Sequence, residues 1–308
     1  MNCLRLLLLF ALIAATRVTG ETPPSSPYTV IARYRIENLR HLSGITILDR
    51  QHSTAVAAII SDKDNAVFRL TVPVPSSTPE REISLKAEKA YLLNGANDCE
   101  DISYDEESRT LFIACEQNIG APSRVFALPV DNPKQIRSYT IDSIFNDYNT
   151  GAEACAVVPY KGQRELWVGK ERFVPPSRIP PVYRYKISGT QLIFCGSLRI
   201  DVSLHRTQSG MAYDARRNRI WVISRELHYL FATDPATIKK GRLEPDSLSL
   251  GYTWDQEYGY PPPFGMVEGI AFDKEGLLYV AFDNNDEAIG LAGTRKKKDP
   301  LLLVLKLR

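Results

Sequence analysis

Past its first twenty residues the sequence has no apolar run that approaches the roughly twenty residues needed to cross a bilayer. It also lacks an excess of one charge: 38 basic side chains stand against 36 acidic ones. The electrostatic footprint of a nucleic-acid binder is therefore missing, and no nucleic-acid partner is expected. The one basic run, Arg295 to Lys298, lies in a polar stretch and reads as a solvated loop. Only four histidines occur, His41, His52, His205 and His228, and no two share a metal-ligand spacing. G-x-S-x-G, H-E-x-x-H, Walker A and G-x-G-x-x-G are all absent, which removes the signatures of the common hydrolase, zincin and nucleotide-binding sites. No segment keeps a 3.6-residue apolar period over the length of a helix.

What is present begins at the N-terminus. Arg5 supplies a positive start, Leu6 to Ala15 form a ten-residue apolar stretch, and Val18 and Gly20 are small enough to flank a cleavage site. Residues 1–20 are expected to be a secretory signal peptide rather than a transmembrane anchor, leaving 21–308 as one domain that is secreted or periplasmic. Cleavage would leave 36 basic and 36 acidic residues. Four cysteines would remain, Cys99, Cys115, Cys155 and Cys195. An exported chain can pair them as two disulfides in three ways or keep them as buried thiols.

Five related segments run through the rest: His41-LSGITILD, Asp98-CEDISYD, Gly151-AEACAVVP, Gln208-SGMAYD and Met266-VEGIAFD. Their marker residues are Ser43, Glu100, Glu153, Ser209 and Glu268, spaced 57, 53, 56 and 59 apart. After each marker come a turn, a second apolar run (VAAII, LFIA, LWVG, IWVI, LYVA) and a third (AVFRL, RVFAL, VYRYKI, HYLFAT, LLLVLKL). The runs are short, rich in β-branched and aromatic residues and bounded by Gly, Pro, Asn and Asp, which is strand chemistry. Four strands per unit, five times over, predict an all-β, five-bladed β-propeller. The chain opens on a strand that precedes the first marker and ends on a third strand. The N-terminal strand is thus expected to complete the last blade.

The first strand of a propeller blade lines the axis, so the five markers should converge at one face. Three carboxylates with two hydroxyls there would repel one another unless a cation neutralised them. An oxygen-only set favours a hard ion, Ca²⁺ before Mg²⁺. Ser43, Glu100, Glu153, Ser209 and Glu268 are accordingly the candidate metal ligands. The second strand runs back to the same face, where Asp62, Glu116, Glu171, Arg225 and Asp283 form a wider ring. Lys170 and Glu226 are neighbours of that ring. Water in a wet channel is the alternative to an ion.

The stretches Val267-EGIAFDKEGLLYVAFDNN, Arg219-IWVISRE and Leu42-SGITILD resemble the SdiA-regulated family, grouped with phytase-like or esterase-like secreted propellers. The Ser, Glu, Glu, Ser, Glu order of the markers is similar to that of the calcium-activated apyrase propellers, and this likeness implies the same five side chains as ligands of a central Ca²⁺. The chain departs from that pattern where Asp101 and Ala154 replace the glycine that follows Glu268.

Two functions follow. In one the ion is structural, and face loops bind a small-molecule, glycan, peptide or envelope partner. In the other the protein is a metal-dependent hydrolase of phosphoester, phosphoanhydride or ester substrates. Glu116, Glu171 or Asp283 would then serve as base, and Arg225 and Lys170 would hold an anionic group.

Overall fold

The computed structural model describes residues 28–75, 82–172, 180–200, 207–224, 229–237, 242–243, 266–283 and 299–308. The expected signal peptide, Arg225, Glu226, the basic run and most of the two Pro-rich stretches, 173–181 and 253–264, lie outside the described residues.

Five sheets repeat one order, from an inner strand outward, with antiparallel pairing between the blade strands. Blade 1 is β2 (Leu42–Gln51), β3 (Thr54–Ser61), β4 (Ala66–Pro73) and β6 (Glu88–Leu92). Blade 2 is β7 (Cys99–Asp105), β8 (Thr110–Cys115), β9 (Pro122–Pro129) and β10 (Arg137–Phe145). Blade 3 is β11 (Ala152–Tyr160), β12 (Gln163–Lys170), β13 (Pro181–Ser188) and β14 (Gln191–Ile200), with the short β18 (Arg242–Leu243) beside β14. Blade 4 shows three strands among the described residues, β15 (Gly210–Asp214), β16 (Arg219–Ser224) and β17 (Tyr229–Thr233). Blade 5 is β19 (Met266–Phe272), β20 (Leu277–Asp283) and β21 (Leu301–Leu307), completed by the N-terminal β1 (Tyr28–Glu37). Here β1 pairs with β21 from Tyr28↔Leu307 to Arg35↔Leu301. The strand is not the outermost, because β5 (Ile83–Lys86) adds to it in parallel from the blade 1 connection.

The core is divided as a ring of wedges requires. Leu42 and Ile59 of blade 1 pack on Tyr34 and Tyr279 of blade 5. Ile60 meets Ile113 between blades 1 and 2, and Phe112 meets Val168 between blades 2 and 3. Trp167 meets Val222 between blades 3 and 4, and Trp221 meets Val280 between blades 4 and 5. Each blade buries both faces, which is why its second strand is a near-continuous apolar run such as Thr110–Cys115, buried throughout.

Cys99 and Cys115 face one another across β7 and β8 and are joined as a disulfide 16 residues apart. Cys155 is a buried thiol and Cys195 an exposed one. Closing a loop of this size removes about 3 kcal/mol of unfolded-state entropy. Reduction should therefore lower the urea midpoint of the wild type and leave a Cys99→Ala/Cys115→Ala variant unmoved.

Candidate functional site

A small irregularity sets four of the five markers out of the strand ladder. Ladder pairing skips one residue between Leu42 and Gly44, Cys99 and Asp101, Ala152 and Ala154, and Val267 and Gly269. The skipped residues are Ser43, Glu100, Glu153 and Glu268. A bulge of this kind re-aims a side chain without ending the sheet. Ser209 sits one residue ahead of β15, its N–H donating to the Ile223 carbonyl at 3.1 Å. Ser43, Glu153, Ser209 and Glu268 are buried, and Glu100 is partly covered.

The outer positions fold against the same end. Glu116 N–H donates to Asp98 O at 2.8 Å and Glu171 N–H to Gly151 O at 2.9 Å, so each second strand is tied to the entry of its own first strand. Asp283 lies 3.8 Å from His41 Nδ1, across the junction of blades 5 and 1.

Two carboxylate groups stand out, and both combine inner with outer positions. Glu116, Glu153 and Glu171 are all buried and offer oxygens within 4.8 Å of one another, at the junction of blades 2 and 3. Asp62, Asp98 and Glu100 do the same, half-covered, at the junction of blades 1 and 2. There Lys63 lies 2.9 Å from Asp62 and 3.6 Å from Asp98. Glu268 belongs to neither group. At that separation the acids gather between neighbouring blades, with Asp98 added, and Glu268 acts on Glu100 through its charge.

The first group is electrostatically tense. Glu116 is fully buried; its Oε1 accepts the Gly151 N–H, and its Oε2 has no hydrogen-bond partner among the described residues. Burial, then Asp98 and Glu171, push its pKa up to about 7 against the pull of the Gly151 N–H and Lys170. Glu100 is driven well above the usual carboxylate range, first by burial and then by Glu116 and Asp98. Lys170 caps the group, its Nζ donating to the carbonyls of Phe145 and Thr150 at 2.6 Å each, and burial lowers its pKa. Two further buried oxygens on this face, Gln208 Oε1 and Ser209 Oγ, also lack a hydrogen-bond partner among the described residues. The Gln208 N–H donates to Glu171 O at 3.1 Å, which brings blade 4 against the group.

Asp101 has a role that the sequence did not suggest. Its carboxylate is completely buried at the level just below the markers. Oδ2 accepts the N–H groups of Cys155 at 2.7 Å and Met211 at 3.1 Å, and Oδ1 accepts that of Ile102 at 2.8 Å. One side chain thereby ties three inner strands together. The backbones also crowd here: a Cβ on Gly44 would lie 2.8 Å from the Asp101 Cα, and one on Gly269 would lie 3.0 Å from the Gly44 Cα. The acid doublet Glu100-Asp101, at a place where other repeats carry Gly or Ala, was the available signal.

The family model described as SdiA-regulated matches residues 89–285, well over half of the chain, taking in blades 2 to 4 and the first two strands of blade 5. The protein belongs to the SdiA-regulated family. No curated protein matches the sequence. Among solved structures, this SdiA-regulated chain is similar to the glutaminyl cyclase of Myxococcus xanthus, with 13% identity, 91% of this chain and 96% of that chain covered, and a TM-score of 0.53. A likeness at that identity shows the fold. Looser overlaps are found with a chain of a nidogen/laminin complex, at 14% identity, 78% and 71% coverage and TM-score 0.44. Kuenenia stuttgartiensis hydrazine synthase overlaps at 12% identity, 74% and 65% coverage and TM-score 0.41.

Proposed function

We infer that this SdiA-regulated propeller is an exported binding protein that holds a divalent cation, Ca²⁺ in preference to Mg²⁺, on its marker face. The observation that carries the reading is the Glu116, Glu153 and Glu171 group: three buried carboxylates within 4.8 Å, one of which keeps a buried oxygen with no hydrogen-bond partner among the described residues. Lys170 and Arg172, the latter 3.7 Å from Glu171, set two cations against three buried carboxylates, and a hard cation with irregular oxygen ligands would relieve the cost that remains. Gln208 and Ser209 extend the oxygen supply, and Ser43, Glu100 and Glu268 stand on the same face. Export is supported by the apolar N-terminal stretch and by the Cys99–Cys115 disulfide. No helix among the described residues is long and apolar enough to span a membrane.

Calorimetric titration with CaCl₂ tests the site. Wild type should bind with a stoichiometry of at least one, more tightly than MgCl₂. Glu116→Gln should weaken Ca²⁺ by about tenfold or more, because ligand charge sets the affinity of such sites. Equal affinity in the variant would remove Glu116 from the ligand set.

One observation favours the second reading, a metal-dependent hydrolase. A carboxylate held at about 7, as Glu116 is, suits a general base near neutral pH. Chelator-sensitive turnover of p-nitrophenyl phosphate, ATP or p-nitrophenyl acetate would establish that reading, and inertness toward all three would leave binding.

A further inference from the structure

The opposite mouth of the axis holds a cavity of roughly 600 Å³, lined by all five inner strands below the level of Asp101. The repeat builds it in layers. Two positions after the markers stand Ile45, Ile102, Met211 and Ile270, all buried, which form its apolar floor. Four positions after the markers stand Ile47, Tyr104, Val157, Tyr213 and Phe272, and every one of them lines the cavity. Each is half-buried and packs its inner edge on a different wedge of core: Ile47 between blades 5 and 1, Tyr104 between 1 and 2, Val157 between 2 and 3, Tyr213 between 3 and 4, Phe272 between 4 and 5. The outcome is a ring of two aliphatic and three aromatic side chains, open to solvent on one side, with the Phe272 ring packed on Trp221 at 5.5 Å between centroids.

The rim around it is acidic. Asp49, Asp105, Glu106, Glu107 and Asp273 stand there against Arg50, Arg164 and Lys274. Two of those cations are engaged. Arg50 lies 3.2 Å from Asp273, both buried, and Arg164 pairs with Asp105 and, at 2.9 Å, with Glu107. The polar groups of the wall are engaged too, since Thr46 Oγ1 accepts the Tyr104 N–H at 3.1 Å and Ser103 Oγ accepts the Val157 N–H at 2.9 Å. A ligand therefore meets mainly apolar surface, three aromatic side chains and a mouth with five acidic against three basic side chains.

We propose that this cavity is a second binding site, separate from the marker face, for a small organic cation: an ammonium group carried on an apolar body. Aromatic rings with nearby carboxylates favour such cations, and the apolar floor takes the hydrocarbon part. The site does not depend on the cation inferred for the marker face. Thr46 and Ser103 hold the wall strands together, so the ring is preformed.

The test is calorimetric titration of the full chain, with Ca²⁺ held constant, using 2-phenylethylamine and its isosteres 2-phenylethanol and phenylacetate. The amine should bind one-to-one and about five- to tenfold more tightly than the alcohol, with the anion weakest. Tyr213→Leu, which keeps an apolar side chain and loses the ring, should weaken the amine several-fold without affecting Ca²⁺ binding. Glu106→Gln, on the exposed rim, should narrow the gap between amine and alcohol. Undetectable binding of the amine at millimolar concentration, equal affinity for the three probes, or an unchanged amine affinity in Tyr213→Leu would each overturn the proposal. Failure of the marker-face reading would show as lost Ca²⁺ binding with amine binding intact.

Discussion

Asp101→Ala should destabilise the protein by about 3–5 kcal/mol, among the largest effects of any single substitution in the axis. The wild-type carboxylate satisfies three backbone N–H groups from three strands, at Ile102, Cys155 and Met211. Alanine leaves these donors buried and unpaired at a place where the inner strands approach closely. Burial pushes the Asp101 pKa well up, while the three donors pull against it. Asp101→Asn should recover most of the loss, because Cys155 and Met211 both bind the single oxygen Oδ2, which an amide retains. Urea unfolding of the three proteins measures this. An alanine variant within about 1 kcal/mol of wild type would show that water or strand movement replaces the carboxylate, and that the axis is not tied as described.

Removal of β1, residues 28–37, should abolish cooperative unfolding altogether. Ala32, Tyr34 and Ile36 are fully buried in the wedge between blades 5 and 1. The Tyr34 hydroxyl donates to the Pro73 carbonyl at the end of β4, so the strand that completes one blade also fastens the next. Each large side chain lost exposes surface worth about 1.5–3 kcal/mol, and the ladder with β21 is lost as well. The sum is comparable to the whole stability of a typical domain. A synthetic 28–37 peptide added in trans should restore a transition, and Tyr34→Ala alone should cost about 3–5 kcal/mol. A truncated protein that still unfolds cooperatively, with an unchanged denaturant slope, would mean that the ring holds without its N-terminal strand.

The fold was legible because a propeller repeats its errors as well as its rules. The strand runs recur at 53 to 59 residues, and their termini imply closure by β1. The extra strand β5 was not legible: Ile83–Lys86 has no partner in its own blade, and only the ring brings it beside β1. The marker residues were legible for the same reason, since a bulge leaves a polar residue at a constant offset in an otherwise apolar strand. Their grouping was not. Which carboxylates approach within a few ångströms depends on the angle between adjacent blades, and that angle is set by packing such as Phe112 on Val168 rather than by spacing. Glu116 and Glu171, read as an outer ring, fall beside Glu153. Asp101 was hidden by its neighbour, because two adjacent acids look like one charged position until the bulge sends Glu100 to the face and Asp101 to the axis. The ring from Ile47 to Phe272 read only as strand residues, although it recurs at one offset from every marker.

Thermal unfolding of the protein in EDTA, and again after Ca²⁺ or Mg²⁺ is restored, for wild type and Glu153→Gln, tests the inferred cation most directly. An ion bound to the folded state alone raises the melting temperature by mass action. The expected result is a rise in wild type with Ca²⁺, a smaller one with Mg²⁺, and little or none in Glu153→Gln. Melting curves that coincide with and without the ions in wild type would contradict the cation site, and with it the hydrolase reading that depends on it.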